Sequence, residues 1–502
     1  ALAAIAGLLL WAAFPDVGLW PLGIVAIALM WLVLLRDGAW MGFLYGWVFG
    51  SVFMLPHVWW AHEAVGAVPW VALAVASGAF YGLFGAGWAH VRRSGILRGE
   101  VWLEAPSFAL VWAGMEQLRS IVPFGGFPWG RVAFSQLDSP MARLAWVGSA
   151  PLTTFAAVLA GALLGIAAHA LLRRRLVVGI AAPLAALAVI GSGVLLPLDG
   201  QAQSGQMRLG IVQGNVPNAG LDAFAQAREV TRNHRDGTLA LMETDPGEID
   251  LLVWPENSSD YDPRTDEQSA ALATESAQAA GAPLLLGTND YSPPEGRYNT
   301  SLLWSAQGAV LDSYSKQRPA PFAEYIPIRD IARRFSEDVD RVTTDVIPGE
   351  GPATVTVNVP ALERNVTVGT VICFEVAYDA IVQDSVAAGA EVLIVQTNNA
   401  SFGETAESTQ QLAMSRLRAI ETGRATVQIS TVGVSGVIDP RGRVLQETDL
   451  FTAEQMYAEV PLRTGITPAV RLRLLWQWAP LVGAALMVGT AISRRVERRY
   501  DW

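Results

Sequence analysis

The sequence predicts a polytopic α-helical membrane domain of about eight spans, joined to an extracytoplasmic domain in which layered sheets are covered by helices. Three observations carry this reading. Of the 502 residues, 52% are hydrophobic and only 16% charged, and the mean hydropathy of +0.32 is too high for a water-soluble enzyme of this size. The apolar residues gather into runs of about 20 before residue 200 and again near the end, long enough to cross a bilayer. Between 207 and 463 the pattern changes to short β-branched runs alternating with amphipathic stretches.

The spans are expected at 1 to 14, 18 to 35, 39 to 57, 66 to 91, 101 to 118, 146 to 172, 176 to 197 and 472 to 493. The first is short and is expected to continue upstream of Ala1; it is read as a span and not as a cleaved leader, because no small-residue cleavage site precedes Pro15 and Asp16. The domains follow as 1–200, with seven helices, 207–463, and a final helix within 470–495. Short cytoplasmic loops retain arginine. Arg36, then Arg92, Arg93 and Arg98, then Arg173, Arg174 and Arg175, and last Arg494, Arg495, Arg498 and Arg499 fall at alternate ends of the spans. Both termini are thus expected in the cytoplasm and 198–471 outside, with Arg119, Arg131, Arg143, Arg471 and Arg473 as exceptions on that side. Glu104 and Glu116 are costly in hydrocarbon and should face the helix-bundle interior or its edge, Arg119 being a candidate partner for Glu116.

The formal charge of -11 hides two opposite parts: 207–463 carries 36 acidic and 19 basic residues, a net of -17, and the remainder is +6. An acidic domain excludes a nucleic-acid partner, which would need a basic face. One cysteine, Cys373, excludes an intramolecular disulfide and any cysteine-cluster metal site. Lys316 is the single lysine and follows no glycine-rich run, so there is no phosphate-binding P-loop. His234 is the lone histidine of the acidic domain, which argues against a histidine triad or a histidine-rich metal site there.

Strands are expected at Leu209 to Gln213, Asp250 to Trp254, Pro283 to Thr288, Asn299 to Trp304, Val310 to Tyr314, Val366 to Ile372, Val392 to Thr397, Thr426 to Val432, Gly436 to Ile438 and Met456 to Val460. Helices fit Leu221 to Glu243, Thr265 to Ala280, Val376 to Ala388 and Ala406 to Gly423. Three segments carry chemistry. A buried strand stops at Pro255 and delivers Glu256; the strand ending at Tyr314 delivers Lys316, followed by a turn holding Glu324; and an apolar strand runs into Cys373 and then a helix. Helix amides beside the sulfur would lower the thiol pKa and bind an oxyanion. Singly each signal is weak, since a lone buried cysteine is more often packing than nucleophile. Together, a thiol, a carboxylate and an ammonium at strand ends supply the nucleophile, proton acceptor and charge stabiliser of acyl transfer.

Trp254-Pro255-Glu256, Lys316 with Pro321-Phe322-Ala323-Glu324-Tyr325-Ile326-Pro327, and Ile372-Cys373-Phe374-Glu375 resemble the Glu-Lys-Cys triad of the nitrilase (carbon-nitrogen hydrolase) superfamily. With the flanking spans, Val212-Gln213-Gly214-Asn215, Thr397-Asn398-Asn399-Ala400 and the loop Gly125-Gly126-Phe127-Pro128-Trp129-Gly130, the whole chain resembles the apolipoprotein N-acyltransferases. Phe374 stands where that family often has tyrosine.

The resemblance implies a nitrilase-like α-β-β-α sandwich and a ping-pong transfer of a fatty acyl chain from a phospholipid to the α-amino group of a diacylglyceryl-modified N-terminal cysteine of an apolipoprotein. Cys373 would be the nucleophile, Glu256 the base and Lys316 the oxyanion partner, with Glu324, Glu375 and Phe374 in support and Phe322, Tyr325, Asn399 and Phe402 as substrate contacts. Phe322, Tyr325, Ile326 and Phe335 are candidates to dip into the membrane interface. No metal and no cofactor is expected; the partners are phospholipid, apolipoprotein and membrane, and the chain is expected to act as a monomer in the bacterial plasma membrane. Two other readings stay open: a membrane-tethered amidase of the nitrilase type, and a non-enzymatic membrane receptor with a degenerate nitrilase-like domain.

Overall fold

The computed structural model describes residues 1–35, 38–97, 100–216, 228–334 and 336–500. Arg36, Arg98, Phe335 and the start of the helix expected from Leu221 lie outside the described residues. The chain divides into two compact units, one of Ala1–His62, Ala67–Pro197 and Leu472–Trp502, the other of Glu63–Gly66 and Leu198–Arg471.

The first unit is helical: α1 (Leu2–Trp11), α2 (Trp20–Val33), α3 (Ala39–His57), then, after the short α4 (Trp60–Val65), α5 (Ala67–Arg93), α6 (Val101–Arg119), α7 (Ala145–Leu172), α8 (Leu176–Gly191) and the last helix, Arg473–Tyr500. Among the described residues, five helical segments are long and apolar enough to cross a membrane, and α1 and α2 are shorter apolar helices. Helix α6 carries Glu104, Glu116 and Arg119 and is not among those five. Glu116 is buried, accepting from Trp112 Nε1 at 3.1 Å, the Val132 amide at 3.0 Å and Thr154 Oγ1 at 2.8 Å, so three donors hold its carboxylate in place of water. Arg119, the partner expected for it, instead donates to the Phe127 and Trp129 carbonyls and so ties down the Gly125 to Gly130 loop. Helices α3 and α5 approach backbone to backbone: a Cβ added at Gly46 would lie 2.0 Å from the Tyr81 carbonyl oxygen, and one at Gly85 2.1 Å from that of Gly42. Small residues permit this approach, and the dispersion contact it creates is the main cohesion available where lipid is as apolar as leucine.

The second unit contains twelve strands among the described residues: β1 (Gln206–Gln213), β2 (Leu251–Val253), β3 (Leu284–Asp290), β4 (Tyr298–Trp304), β5 (Val310–Ser315), β6 (Thr354–Val359), β7 (Arg364–Ile372), β8 (Val392–Thr397), β9 (Thr426–Ser430), β10 (Gly436–Ile438), β11 (Val444–Glu447) and β12 (Glu454–Pro461). Its helices are α9 (Glu229–Glu243), α10 (Glu267–Ala280), the one-turn α11 (Arg329–Ala332), α12 (Asp379–Ala387), α13 (Glu407–Thr422) and α14 (Pro468–Arg471). The strands form two six-stranded sheets, ordered β12-β1-β2-β3-β4-β5 and β11-β10-β9-β8-β7-β6. Each has a parallel core, β1-β2-β3 or β7-β8-β9, flanked by antiparallel strands. Strands β2, β8 and β9 are buried along their whole length, the pattern of strands covered on both faces.

The layers follow from the burial pattern. Val212, Leu252, Trp254, Leu284, Leu286, Leu302 and Trp304 on one face of the first sheet form a single apolar core with Leu241 of α9 and Ala273 and Ala277 of α10. Helices α12 and α13 cover the second sheet. The sheets meet through buried polar bonds: Ser301 Oγ to Thr370 Oγ1 at 2.6 Å and Gln396 Nε2 to the Trp254 carbonyl at 2.6 Å. Such bonds add little net stability, but breaking one leaves a buried group unpaired, so they select one mutual placement of the sheets. The architecture is the four-layered α-β-β-α sandwich of the expectation.

Two strands went unexpected. Thr354–Val359 alternates Thr and Val, and its burial alternates with it, the signature of an edge strand half exposed to solvent. Val444–Glu447 is short and mostly exposed, so hydrophobicity gives it no signal; it forms by pairing with β10. One helix boundary is corrected. The helix expected from Val376 starts at Asp379, because residues Cys373–Ala377 form a 3-10 turn first.

Candidate active site

The three strand ends singled out in the sequence converge between the two sheets. Pro255 ends β2, having no amide to donate to the ladder, and Glu256 follows it, 4% exposed. Its backbone lies so close to β3 that a Cβ on Gly287 would fall 2.6 Å from the Glu256 Cα, so only glycine fits there. Lys316 follows β5, its amide donating to the Asn299 carbonyl at 2.8 Å. The residue is 1% exposed, and its ammonium lies 3.3 Å from Glu256 Oε1 and 2.9 Å from the Glu324 carboxylate. Glu324 sits in the turn where the Phe322 amide donates to the Tyr325 carbonyl at 2.8 Å, and it accepts from the Ala320 amide at 2.7 Å.

Cys373 ends β7 from the second sheet with a φ of 50°, a left-handed conformation costing a non-glycine residue about 1 kcal/mol. The residue is partly exposed, and its thiol donates to Glu256. Glu375 supports this strained corner. Its Oε2 accepts from the Ile372 amide at 3.0 Å, while Oε1 accepts from Tyr314 Oη at 2.8 Å and from the amides of Gln317 and Arg318 at 2.7 and 3.1 Å. One buried carboxyl thus fastens the segment carrying the thiol to the segment carrying the ammonium. Phe374 is buried with its ring edge-on to Tyr378, centroids 5.4 Å apart.

Electrostatics divide the labour between the two carboxylates. Burial pushes the Glu256 carboxyl up, with Lys316 offsetting and Glu324 adding to the rise. For Glu324 burial works the same way, but Lys316 and the Ala320 amide outweigh it and hold it below the usual range. Burial opposes the Lys316 charge too, yet the two glutamates hold the ammonium above the ordinary lysine range. Glu324 is therefore the standing counter-ion, and Glu256 the carboxylate with a raised proton affinity, suited to act as a base. The expectation of a depressed thiol pKa is overturned: burial pushes the Cys373 thiol up, and the Glu256 charge adds to it. The first turn after the sulfur is a 3-10 turn and not an α-helix, and the Ile372 amide is already taken by Glu375. The raised thiol stands hydrogen-bonded to the Glu256 carboxyl, so the proton leaves sulfur at the moment of attack and not before.

The sequence reading missed Asn299, Thr397, Gln411 and Glu407. Asn299 Nδ2 donates to Glu256 Oε1 at 2.7 Å and to Glu324 Oε1 at 3.0 Å, holding the two carboxylates on either side of one amide. Thr397 Oγ1 and Gln411 Nε2 each lie 3.6 Å from Cys373 Sγ. Asn399, expected to touch substrate, is instead buried and bonded to Gln411 and Glu407. Phe402 is joined to this cluster through its amide, which donates to the Asn399 carbonyl at 3.0 Å. Phe322 is 39% exposed, and Tyr325 is partly exposed in the same turn. Among the described residues no cluster of histidine, cysteine or carboxylate side chains is arranged to hold a metal ion.

A family model for the apolipoprotein N-acyltransferase N-terminal domain matches residues 6–163, and one for carbon-nitrogen hydrolase matches residues 208–467. An apolipoprotein N-acyltransferase of Mycolicibacterium smegmatis is 36% identical, the match covering 97% of this chain and 83% of that protein. One of Azotobacter vinelandii is 30% identical over 99% of this chain and 95% of its own length. An amidase from Nesterenkonia sp. is similar to 53% of this chain and 95% of its own, at 20% identity and a TM-score of 0.39. The chain belongs to the apolipoprotein N-acyltransferase family, a membrane-helix domain and a carbon-nitrogen hydrolase domain in one polypeptide.

Proposed function

We propose that this protein moves a fatty acyl chain from a membrane phospholipid to the α-amine of a diacylglyceryl-modified apolipoprotein cysteine, through a thioester on Cys373. The convergence of Cys373, Glu256 and Lys316 in one buried site carries the reading. In the first half, Glu256 takes the thiol proton as sulfur attacks the ester carbonyl, and Lys316 balances the oxyanion of the tetrahedral intermediate. Collapse breaks the ester carbon-oxygen bond; the leaving oxygen takes the proton from Glu256, and lysophospholipid departs. In the second half, the acceptor amine attacks the thioester, Glu256 takes an amine proton, and the sulfur leaves as the amide forms. The proton then returns from Glu256 to sulfur.

Glu324 keeps Lys316 charged and placed, and Glu375 holds the two halves of the site together. The exposed Phe322 and neighbouring Tyr325 are suited to contact acyl chains. The chain acts as a monomer, with Arg92, Arg93 and Arg173 to Arg175 on the cytoplasmic side and the hydrolase domain outside, as the arginine pattern supports.

Intact-protein mass spectrometry of wild type and Cys373→Ala, incubated with phospholipid alone, tests this. A fatty-acyl increment on wild type only, discharged by a diacylglyceryl peptide that becomes N-acylated, is expected. Release of free fatty acid to water with the peptide left unmodified would replace acyl transfer by hydrolysis, and N-acylation by Cys373→Ala would remove the cysteine from the mechanism.

A further inference from the structure

The sulfur of Cys373 has a second set of neighbours on the side of β8 and α13, and the acyl-transfer cycle above gives them no task. Gln411 is fully buried, and its Nε2 lies 3.6 Å from Cys373 Sγ, within reach for a hydrogen bond to sulfur. An amide side chain can present either its NH2 or its oxygen, and the bonds around it decide which. Here they decide in sequence. Ser430 Oγ accepts from the Gly433 amide at 2.7 Å and the Val432 amide at 3.4 Å, so its own hydrogen goes to Asn399 Oδ1 at 2.5 Å. With its oxygen so engaged, Asn399 turns Nδ2 toward Gln411 Oε1 at 3.0 Å and toward the Glu407 carboxyl. Gln411 Oε1 also accepts from Thr397 Oγ1 at 2.7 Å, the shortest of the three contacts open to that hydroxyl hydrogen. Two donors on Oε1 leave Nε2 no orientation but toward the sulfur. Backbone amides at Val432 and Gly433 thus set, through Ser430, Asn399 and Gln411, the sign of the dipole that Cys373 meets. Ser430, Asn399, Thr397 and Gln411 are all 2% exposed or less, so no water competes for these bonds.

We propose that Gln411 is a catalytic residue: its amide N–H donates to Cys373 and stabilises the thiolate, both as the proton passes to Glu256 and as sulfur leaves the thioester. This rests on Cys373 being the nucleophile. A neutral thiol needs no such donor, whereas a thiolate in a buried site gains strongly from one, so the bond tightens as charge develops on sulfur. Lys316 and Gln411 then act on different atoms, Lys316 on the carbonyl oxygen and Gln411 on the sulfur. Ser430, Asn399 and Thr397 are positioning residues.

Cys373 is the chain's single cysteine, so alkylation by iodoacetamide reports on it alone. The full chain in detergent, as wild type, Gln411→Glu and Gln411→Met, is alkylated across a pH series, with thermal melting recorded for each. Gln411→Glu keeps an acceptor for Asn399 and Thr397 while removing the donor to sulfur; Gln411→Met removes donor and acceptor at similar volume. The expected result is a rise of at least about one pH unit in the alkylation midpoint in every variant that melts cooperatively. It is accompanied by at least a tenfold slower transfer to a diacylglyceryl peptide at unchanged KM for phospholipid. A midpoint equal to that of wild type in a folded variant overturns the proposal, as does a rate loss accounted for by KM alone. Acylation of wild-type Cys373 by phospholipid is measured in parallel, so a failure of the acyl-transfer reading appears there and leaves the alkylation profile to judge Gln411.

Discussion

Replacing Glu324 by glutamine removes one charge from the pair that flanks Lys316 while keeping an oxygen to accept from the Ala320 amide. Both carboxylates touch the same Asn299 nitrogen, at 2.7 and 3.0 Å, which sets their near oxygens about 5 Å apart. At an effective dielectric of about 20 that repulsion amounts to about 3 kcal/mol. Glu256 is held up by burial, and Glu324 adds to the rise while Lys316 opposes it. In Glu324→Gln the repulsion disappears and Lys316 pairs with Glu256 alone, so both changes lower the Glu256 pKa. The base becomes weaker but stays ionised to lower pH. Rapid-quench formation of the Cys373 acyl-enzyme, followed from about pH 4 to about pH 9, reads this directly, because the acid limb of the profile belongs to the coupled carboxylates. The limb should move to lower pH, and the plateau rate should fall by about tenfold, because a proton half transferred in the transition state feels about half of that ~3 kcal/mol. A limb that stays in place, or moves upward, would show that Glu324 does not set the proton affinity of Glu256 and would refute the division of labour drawn above.

Three other outcomes follow from particular contacts. Burial pushes the Glu407 carboxyl up to about 8, the Asn399 bond opposing and the Glu256 charge adding. A carboxyl raised in the folded state stabilises fully below its unfolded value near 4.5 and loses that contribution as pH rises toward 8, a ceiling of about 5 kcal/mol. Glu407→Gln should therefore flatten the fall of melting temperature between those two pH values; an unchanged slope would place the titration elsewhere. In the membrane unit, Glu116→Ala strands the Trp112, Val132 and Thr154 donors in a buried site and should cost about 3 kcal/mol or more, read as a lower melting temperature in detergent, whereas Glu116→Gln should recover most of it. Gly46→Leu drives a side chain into the Tyr81 carbonyl and should destabilise the helical unit more than Gly191→Leu, whose added Cβ meets nothing within 4 Å; equal melting of the two variants would mean that α3 and α5 do not pack through glycine.

The sandwich was legible because its strands are short β-branched runs that end at prolines, glycines or charged residues. Cys373, Glu256 and Lys316 stood out for one shared reason, each being a chemically reactive or charged residue at the exit of a strand. Periodicity is a local signal, and it sufficed for β8 and β9, whose buried runs cannot be anything but interior strands. It failed for β11, which is held by its neighbour and not by its own apolar face. It failed also for Asn299, Thr397 and Gln411. These are uncharged polar residues whose importance lies in partners on other elements, from 24 residues away for Thr397 to Cys373 up to 43 for Asn299 to Glu256, and nothing in a local window marks them.

Residue order, then, conveyed the membrane-embedded class, the layered sheets and the chemistry at the strand ends, since hydrophobic periodicity and residue type are properties of a segment and its nearest neighbours. Proton affinities were decided only when the chain folded. A free thiol beside a strand-to-helix turn promises a lowered pKa, but closing two sheets over Cys373 raises it, because removing water penalises the thiolate and brings the Glu256 charge beside it. The same closure sets Glu256 and Glu324 apart in proton affinity around a single ammonium, and turns the amide of Gln411 toward the sulfur. Charges and dipoles act over distances in space, in a dielectric that only packing creates, and neither quantity is written along the chain.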